Sequence, residues 1–161
     1  MAESEAGLPE VHVQPGESLL VHDPTILRTI LGSCVGVSFR VQRLGIGALC
    51  HPMMPRCPAG LAGRADGRRY VDYAIRELAG RLDSLGARRS EIEVKLFGGG
   101  DVLQVSNGSV RPTVGRQNGE AALDVLRREG FELAASSLGG KSGLNIKFNT
   151  ATGEVLLRRL S

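Results

Sequence analysis

A chain of 161 residues with 42% hydrophobic and 23% charged residues has the length and composition of one globular domain with a real core. The net charge of +3 suits an acidic protein surface, while 4% aromatic residues and no tryptophan argue against a base-stacking platform for nucleic acid. No apolar run is long enough to span a membrane, the N-terminus has neither a basic start nor an apolar signal core, and three cysteines without a C-x-x-C make a disulfide framework improbable. The expected compartment is the cytoplasm.

Residues 1–9 are small, acidic and polar and read as a loose tail before a single domain over residues 10–161. Val11 and Val13, then Leu19 to Val21, read as short strands around a turn at Pro15-Gly16. Thr25 to Leu31 and Val35 to Val41 are rich in β-branched residues and flank a Gly32-Ser33-Cys34 connection. Ile46 to Cys50 is the next strand, reached through a short turn near Gln42–Gly45, and it delivers His51 at its end. The proline-rich stretch that follows is a loop down to Arg64.

Val71, Ala74, Ile75, Leu78, Leu82 and Leu85 recur at helical spacing, with Asp66 expected as N-cap and Gly86 closing the helix. Ile92 to Phe97 is a strand running into Gly98-Gly99-Gly100-Asp101. A second helix is expected from Asn118, as its N-cap, to Gly130, followed by a strand over Phe131 to Ala135. Leu144 to Phe148 and Val155 to Leu160 form a hairpin. Strands outnumber helices without regular alternation, so the fold class is α+β.

The chemistry concentrates where an apolar run stops at Gly32-Ser33 and presents Cys34. Small residues before a cysteine let backbone N–H groups approach whatever the sulfur attacks. His51 follows seventeen positions later, a gap that suits neighbouring strands and could set imidazole beside sulfur. A thiol becomes a good nucleophile when an imidazole takes its proton. Cys50 sits in an apolar strand and reads as core, and Cys57 lies in a proline loop. A thiolate metal site from Cys34, Cys50, His51 and Cys57 is poorly spaced, because adjacent strand residues point to opposite faces. Gly98-Gly99-Gly100 lacks the Lys-Ser/Thr ending and the helix of a phosphate loop.

Three segments carry a resemblance. Thr29-x-Leu-Gly-Ser-Cys-Val, His51-x-Met-x-Pro and Lys95-Leu-Phe-Gly-Gly are similar in order and spacing to CheD, the chemoreceptor glutamine deamidase family of bacterial chemotaxis. The resemblance implies a mixed β-sandwich flanked by helices, related to the deamidating domain of cytotoxic necrotizing factor toxins. It implies a protein-glutamine deamidase with Cys34 as nucleophile, His51 as general base and acid, and no metal or organic cofactor. Thr29 matches the family's threonine and would hold the imidazole through a hydroxyl or backbone oxygen; it is equally readable as a β-branched strand residue. Gly32 and Ser33 would line the oxyanion and substrate site, and Val102 and Leu103 would meet a partner.

By the same resemblance the partners are the cytoplasmic domain of methyl-accepting chemotaxis receptors and a CheC phosphatase. Neither nucleic acid nor membrane insertion is expected. An alternative is a binding module that stimulates a CheC-type phosphatase, with deamidation secondary. The chain departs from the family at Val114-Gly115-Arg116-Gln117-Asn118, where relatives carry Ile-Gly-x-Arg-Asn. It departs again at Leu144, where an arginine is usual, and at Gly-Gly-Gly-Asp. These departures bear on substrate range.

Overall fold

A computed structural model describes residues 7–61, 63–102 and 112–161. The expected tail falls largely on residues outside the described ones, as does Leu103. Among the described residues, nine strands form two sheets. In chain order they are β1 (Glu10–His12), β2 (Ser18–Val21), β3 (Ile26–Leu31), β4 (Val35–Val41), β5 (Ile46–Cys50), β6 (Glu93–Gly98), β7 (Leu133–Leu138), β8 (Leu144–Asn149) and β9 (Val155–Arg159). One sheet has the order β1-β3-β8-β9 and the other β2-β5-β4-β6-β7. The β1–β3 and β6–β7 pairs are parallel and the rest antiparallel, so both sheets are mixed.

Strand periodicity divides the core in two. Along β4, Val35, Val37, Phe39 and Val41 point away from the other sheet, toward helices α1 (Val71–Ser84) and α2 (Val114–Arg128). The alternate residues face the gap between sheets, where Leu27, Leu31, Leu49, Phe97, Leu144, Ile146 and Phe148 pack, with Cys34 against them. Gly36 also faces this gap, and a Cβ there would lie 3.0 Å from Leu31 Cδ1. Among the described residues the result is three layers: four-stranded sheet, five-stranded sheet, two α-helices. This is the expected helix-flanked mixed sandwich.

The β4–β5 turn lies where expected, a 3-10 turn over Gln42–Leu44 closed by Gly45 in the left-handed region. Three boundaries differ. Asp66 does not cap α1: residues Ala65–Arg69 form a separate 3-10 turn and Tyr70 holds the N-cap position. The stripe from Val71 onward is what buries the helix, and nothing apolar extends it toward Asp66. The second helix begins four residues before Asn118, at Val114, with the Thr113 hydroxyl accepting from the Arg116 N–H. Asn118 is therefore an interior helical residue. Finally, β7 begins at Leu133, because Phe131 turns into the helix-side core and meets Phe39 edge-on at 5.5 Å between centroids.

Candidate active site

The chain crosses from one sheet to the other at Gly32-Ser33-Cys34, between the end of β3 and the start of β4. This three-residue bridge is half-buried. By strand parity Cys34 shares the inner side of its sheet with Gly36 and Ser38. On the neighbouring strand the register pairs Val37 with Cys50. Cys50 points to the helices, so His51, one residue on, turns to the inner side with Cys34. Extending the register by two brings Val35 opposite Pro52, and the Val35 N–H reaches the Pro52 carbonyl at 3.4 Å. The third residue, Thr29, comes from β3 in the opposite sheet and faces the same gap as Leu27 and Leu31. Thr29 and His51 are 1% and 2% exposed.

Thr29 joins the sheets. Its Oγ1 lies 2.7 Å from the Val13 carbonyl oxygen and 2.7 Å from His51 Nδ1. A threonine hydroxyl has a single proton, and the Val13 carbonyl can only accept. The hydroxyl therefore donates to Val13 and accepts from Nδ1–H. That order places the ring proton on Nδ1 and leaves the Nε2 lone pair free. The imidazole thus enters the gap between the sheets in the tautomer a general base requires.

The histidine's backbone is held as firmly as its ring. The Gly16 N–H donates to the His51 carbonyl at 2.7 Å, and the His51 N–H donates to the Glu17 carbonyl at 2.9 Å. Gly16 adopts φ of 82°, so the Gln14–Glu17 turn that supplies both contacts depends on glycine there. Val13 and this turn were visible in the sequence only as a short strand and a Pro-Gly turn. Nothing in their residue types announced a role around His51.

The glycine cluster clamps the cysteine loop. Gly99 N–H donates to the Cys34 carbonyl at 2.8 Å and Gly100 N–H to the Gly32 carbonyl at 2.9 Å. Gly98, at φ of 98°, has no room for a side chain, since a Cβ would stand 2.4 Å from the Cys34 oxygen. Val102 covers the same loop, and a Cβ on Gly32 would lie 2.9 Å from its Cγ2. Behind the loop, Asn118 Nδ2 donates to the Ser33 and Met53 carbonyls, each at 2.9 Å. Sequence reading placed Asn118 at a helix end and missed this contact. The departure motif Val114 to Asn118 was the signal, once its first residues are recognised as the first turn of α2.

Burial sets the protonation states. It pulls His51 down to about 4, with the nearby Val13 carbonyl opposing and the charge of His12 adding to the fall. Burial likewise pushes the Cys34 thiol up, while its own backbone N–H acts the other way. The pair therefore rests as neutral thiol and neutral imidazole near pH 7. Cys50 is driven up to about 12 by burial and is chemically quiet. Its thiol faces the helix-side core and that of Cys34 the gap between sheets, which separates two of the four residues weighed for a metal site.

A family model described as CheD chemotactic sensory transduction matches residues 53–159. The chain belongs to the CheD family. It is 41% identical over 154 residues to the probable chemoreceptor glutamine deamidase CheD 2 of Geobacter sulfurreducens, covering 96% of this chain and 92% of that one. It is 34% identical to the probable chemoreceptor glutamine deamidase CheD of Maridesulfovibrio salexigens, over 99% and 97% of the two chains. Among solved structures, the Bacillus licheniformis hypothetical protein YfiH aligns with a TM-score of 0.51 at 14% identity, over 76% of this chain and 51% of that one. That likeness is one of fold, and this CheD chain spans about half of the YfiH chain. No helix among the described residues of this CheD chain is long and apolar enough to cross a membrane.

Proposed function

We propose that this protein deamidates glutamine side chains of chemoreceptors, with Cys34 as nucleophile and His51 as general base and acid. Membership of the CheD family and the names of its relatives support the reaction. The observation that carries the residue assignment is the Val13–Thr29–His51 chain of hydrogen bonds, which presents a free Nε2 in the gap that Cys34 also faces.

His51 Nε2 takes the thiol proton as sulfur attacks the glutamine amide carbon. The resting neutral pair means that the thiolate forms as attack proceeds and not beforehand. The tetrahedral oxyanion is met by backbone N–H groups of the Gly32-Ser33-Cys34 bridge. His51 returns the proton to the amide nitrogen, ammonia departs, and a glutamyl thioester remains. Water, deprotonated by His51, attacks the thioester; the C–S bond breaks and the thiol recovers its proton. Each turnover replaces a neutral amide with a carboxylate on the receptor helix. Thr29 acts throughout by holding the ring tautomer. Val102, whose Cγ2 lies against Gly32, is read as a receptor contact.

The test is peptide mass spectrometry of receptor cytoplasmic domain incubated with the wild type and with Cys34→Ala and His51→Ala. Glutamine-to-glutamate conversion by the wild type, absent with both variants, is the expected result. Conversion that survives Cys34→Ala overturns the residue assignment. Absence of conversion on every receptor, with the protein folded, overturns the reaction and favours a binding role toward a CheC-type phosphatase.

A further inference from the structure

The β4–β5 pairing weakens across His51 and ends before Cys34. Its last registered pair is Val37 with Cys50, and among the described residues the strand-to-strand bond beyond it is the long 3.4 Å contact from Val35 to Pro52. Backbone pairing between these strands therefore does not reach Cys34 or the Met53 end of the His51 segment. A side chain from another layer spans the opening. Asn118 sends both amide protons of Nδ2 across it, one to Ser33 beside Cys34 and one to Met53 just past His51. Because both acceptors are carbonyls, the group facing them must be the NH2, which settles the amide's orientation.

Asn118 is an unfavourable choice on every other ground. It is 0% exposed, and among the described residues its Oδ1 has no hydrogen-bond partner. Asparagine is also a weak helix former in an α-helix interior. Leucine has the same branching at Cγ and would suit the buried helix face, but it would remove the stranded Oδ1 only by leaving the Ser33 and Met53 carbonyls without this donor. The helix that carries Asn118 is itself referred to the cysteine loop, since Gly115 packs on Gly100, whose N–H binds Gly32.

We infer that Asn118 is a positioning residue that sets the separation of Cys34 and His51 by tying their two strand ends together. The inference rests on the pairing of Cys34 with His51 proposed above. Asn118 touches neither reacting group, so its effect passes through Ser33 and Met53.

The experiment compares the wild type, Asn118→Leu and His51→Ala in a Cys57→Ser background, which removes the other partly accessible thiol. Two quantities are read: kcat and KM on receptor cytoplasmic domain, and the pH profile of Cys34 alkylation by iodoacetamide, mapped by mass spectrometry. Asn118→Leu unpairs two carbonyls, so some loss of Tm is expected, together with a loss of about tenfold or more in kcat with KM unchanged, as misplacement of reacting groups produces. Its alkylation profile is expected to move toward that of His51→Ala. Thr113→Ala loosens the same helix at its cap and is expected to lower Tm while keeping kcat. If Asn118→Leu unfolds, Asn118→Asp, which keeps the shape and loses the donor, carries the same readouts.

Wild-type kcat and alkylation profile in the folded variant overturn the positioning role, as does a kcat loss that Thr113→Ala reproduces at equal Tm. Should the wild type deamidate no receptor, the proposed reaction fails while the alkylation profiles still decide the role of Asn118. Should His51→Ala leave the wild-type profile unmoved, Cys34 and His51 are uncoupled and the role of Asn118 is overturned with the pairing.

Discussion

The two ends of the five-stranded sheet are held together by different physics. At the end where β4 starts and β5 and β6 finish, the ties are buried and uncharged: Thr29 to His51, Gly99 and Gly100 to the cysteine loop, Asn118 to Ser33 and Met53. At the other end, the ties are ion pairs. Arg43 forks onto Glu91, and Arg89 reaches Asp83 and Glu129 while its guanidinium stacks over Phe131 at 4.5 Å. Exposed ion pairs contribute little, because water screens them and long side chains lose freedom. Buried neutral bonds contribute modestly when made, but a partner left unmet costs about 1–3 kcal/mol. The reactive end is therefore the one where a small change is felt strongly, and where atoms are held to fixed positions.

The sharpest way to break the contrast is Gly98→Ala. The residue combines φ of 98° with a carbonyl 2.4 Å from where Cβ would stand, so the Cys34 loop must shift or the turn must rebuild. The expected loss is about 3 kcal/mol of stability, at the upper end for one substitution. Denaturant titration measures it. Gly139→Ala, equally left-handed but with open space at Cβ, separates backbone strain from the clash and should lose less.

The pH dependence of stability comes next. The pKa of His51 is about 4 in the fold against about 6.5 for a free imidazole. As pH falls from about 6.5 to about 4, the unfolded chain binds a proton that the native chain refuses, so stability drops over that window. A shift of that size corresponds to about 3 kcal/mol. Carboxylates held low by arginines, such as Glu91 at about 2 and Asp124, add slope of the same sign in acid. The difference between wild type and His51→Gln isolates the histidine: the variant's stability should vary less between pH 7 and pH 4.5. Equal slopes would mean that the ring takes up a proton in the folded protein.

Thr29→Val keeps the β-branched shape and deletes the hydroxyl. It strands the Val13 carbonyl and the Nδ1–H together, so a loss of about 1–3 kcal/mol is expected, by the same rule for unmet buried groups. It also frees the ring to change tautomer. That should lower kcat by about ten- to a hundredfold, part of what a positioned base supplies. Thr29→Ser should restore most of the rate. A valine variant with wild-type kcat would show that the imidazole needs no orienting group.

These outcomes bear on how much was legible in the residues. Cys34 and His51 were legible as a candidate pair, because a Gly-Ser lead-in and a strand-length gap are local patterns, and alternation along β4 and β5 turns both to one face. The α+β class was legible because strands outnumber helices without regular alternation; the sandwich came only through the family resemblance, and the order of strands within each sheet was not legible at all. Thr29 could be read two ways, since a threonine in a strand looks the same whether or not its hydroxyl has work. Val13, the Gly16 turn and Asn118 were hidden for a deeper reason. Their roles depend on contacts between segments 16 to 85 positions apart, and a carbonyl's role leaves no trace in the residue that carries it. Asn118 was misplaced because a polar residue ahead of Ala122 and Leu123 looks like a cap; burial of that residue was the information missing.

The smallest expected effect lies at the charged end, and it sharpens the comparison by being small. Glu91 holds Arg43 through two bonds and also accepts from the Arg88 N–H, and its carboxyl is held down to about 2 chiefly by the Arg43 hydrogen bond. Glu91→Gln keeps a hydrogen-bond acceptor and removes the charge. Its effect on Tm should be slight in low salt and vanish in high salt, as screening requires. Cys34 alkylation should not move, since nothing in this cluster touches the bridge or the His51 segment. If Glu91→Gln altered Cys34 reactivity without altering Tm, the two ends would be coupled through β6, the strand that starts just after Glu91 and ends at Gly98. The insulation of the reactive end by the rigid sheet would then be lost as an explanation.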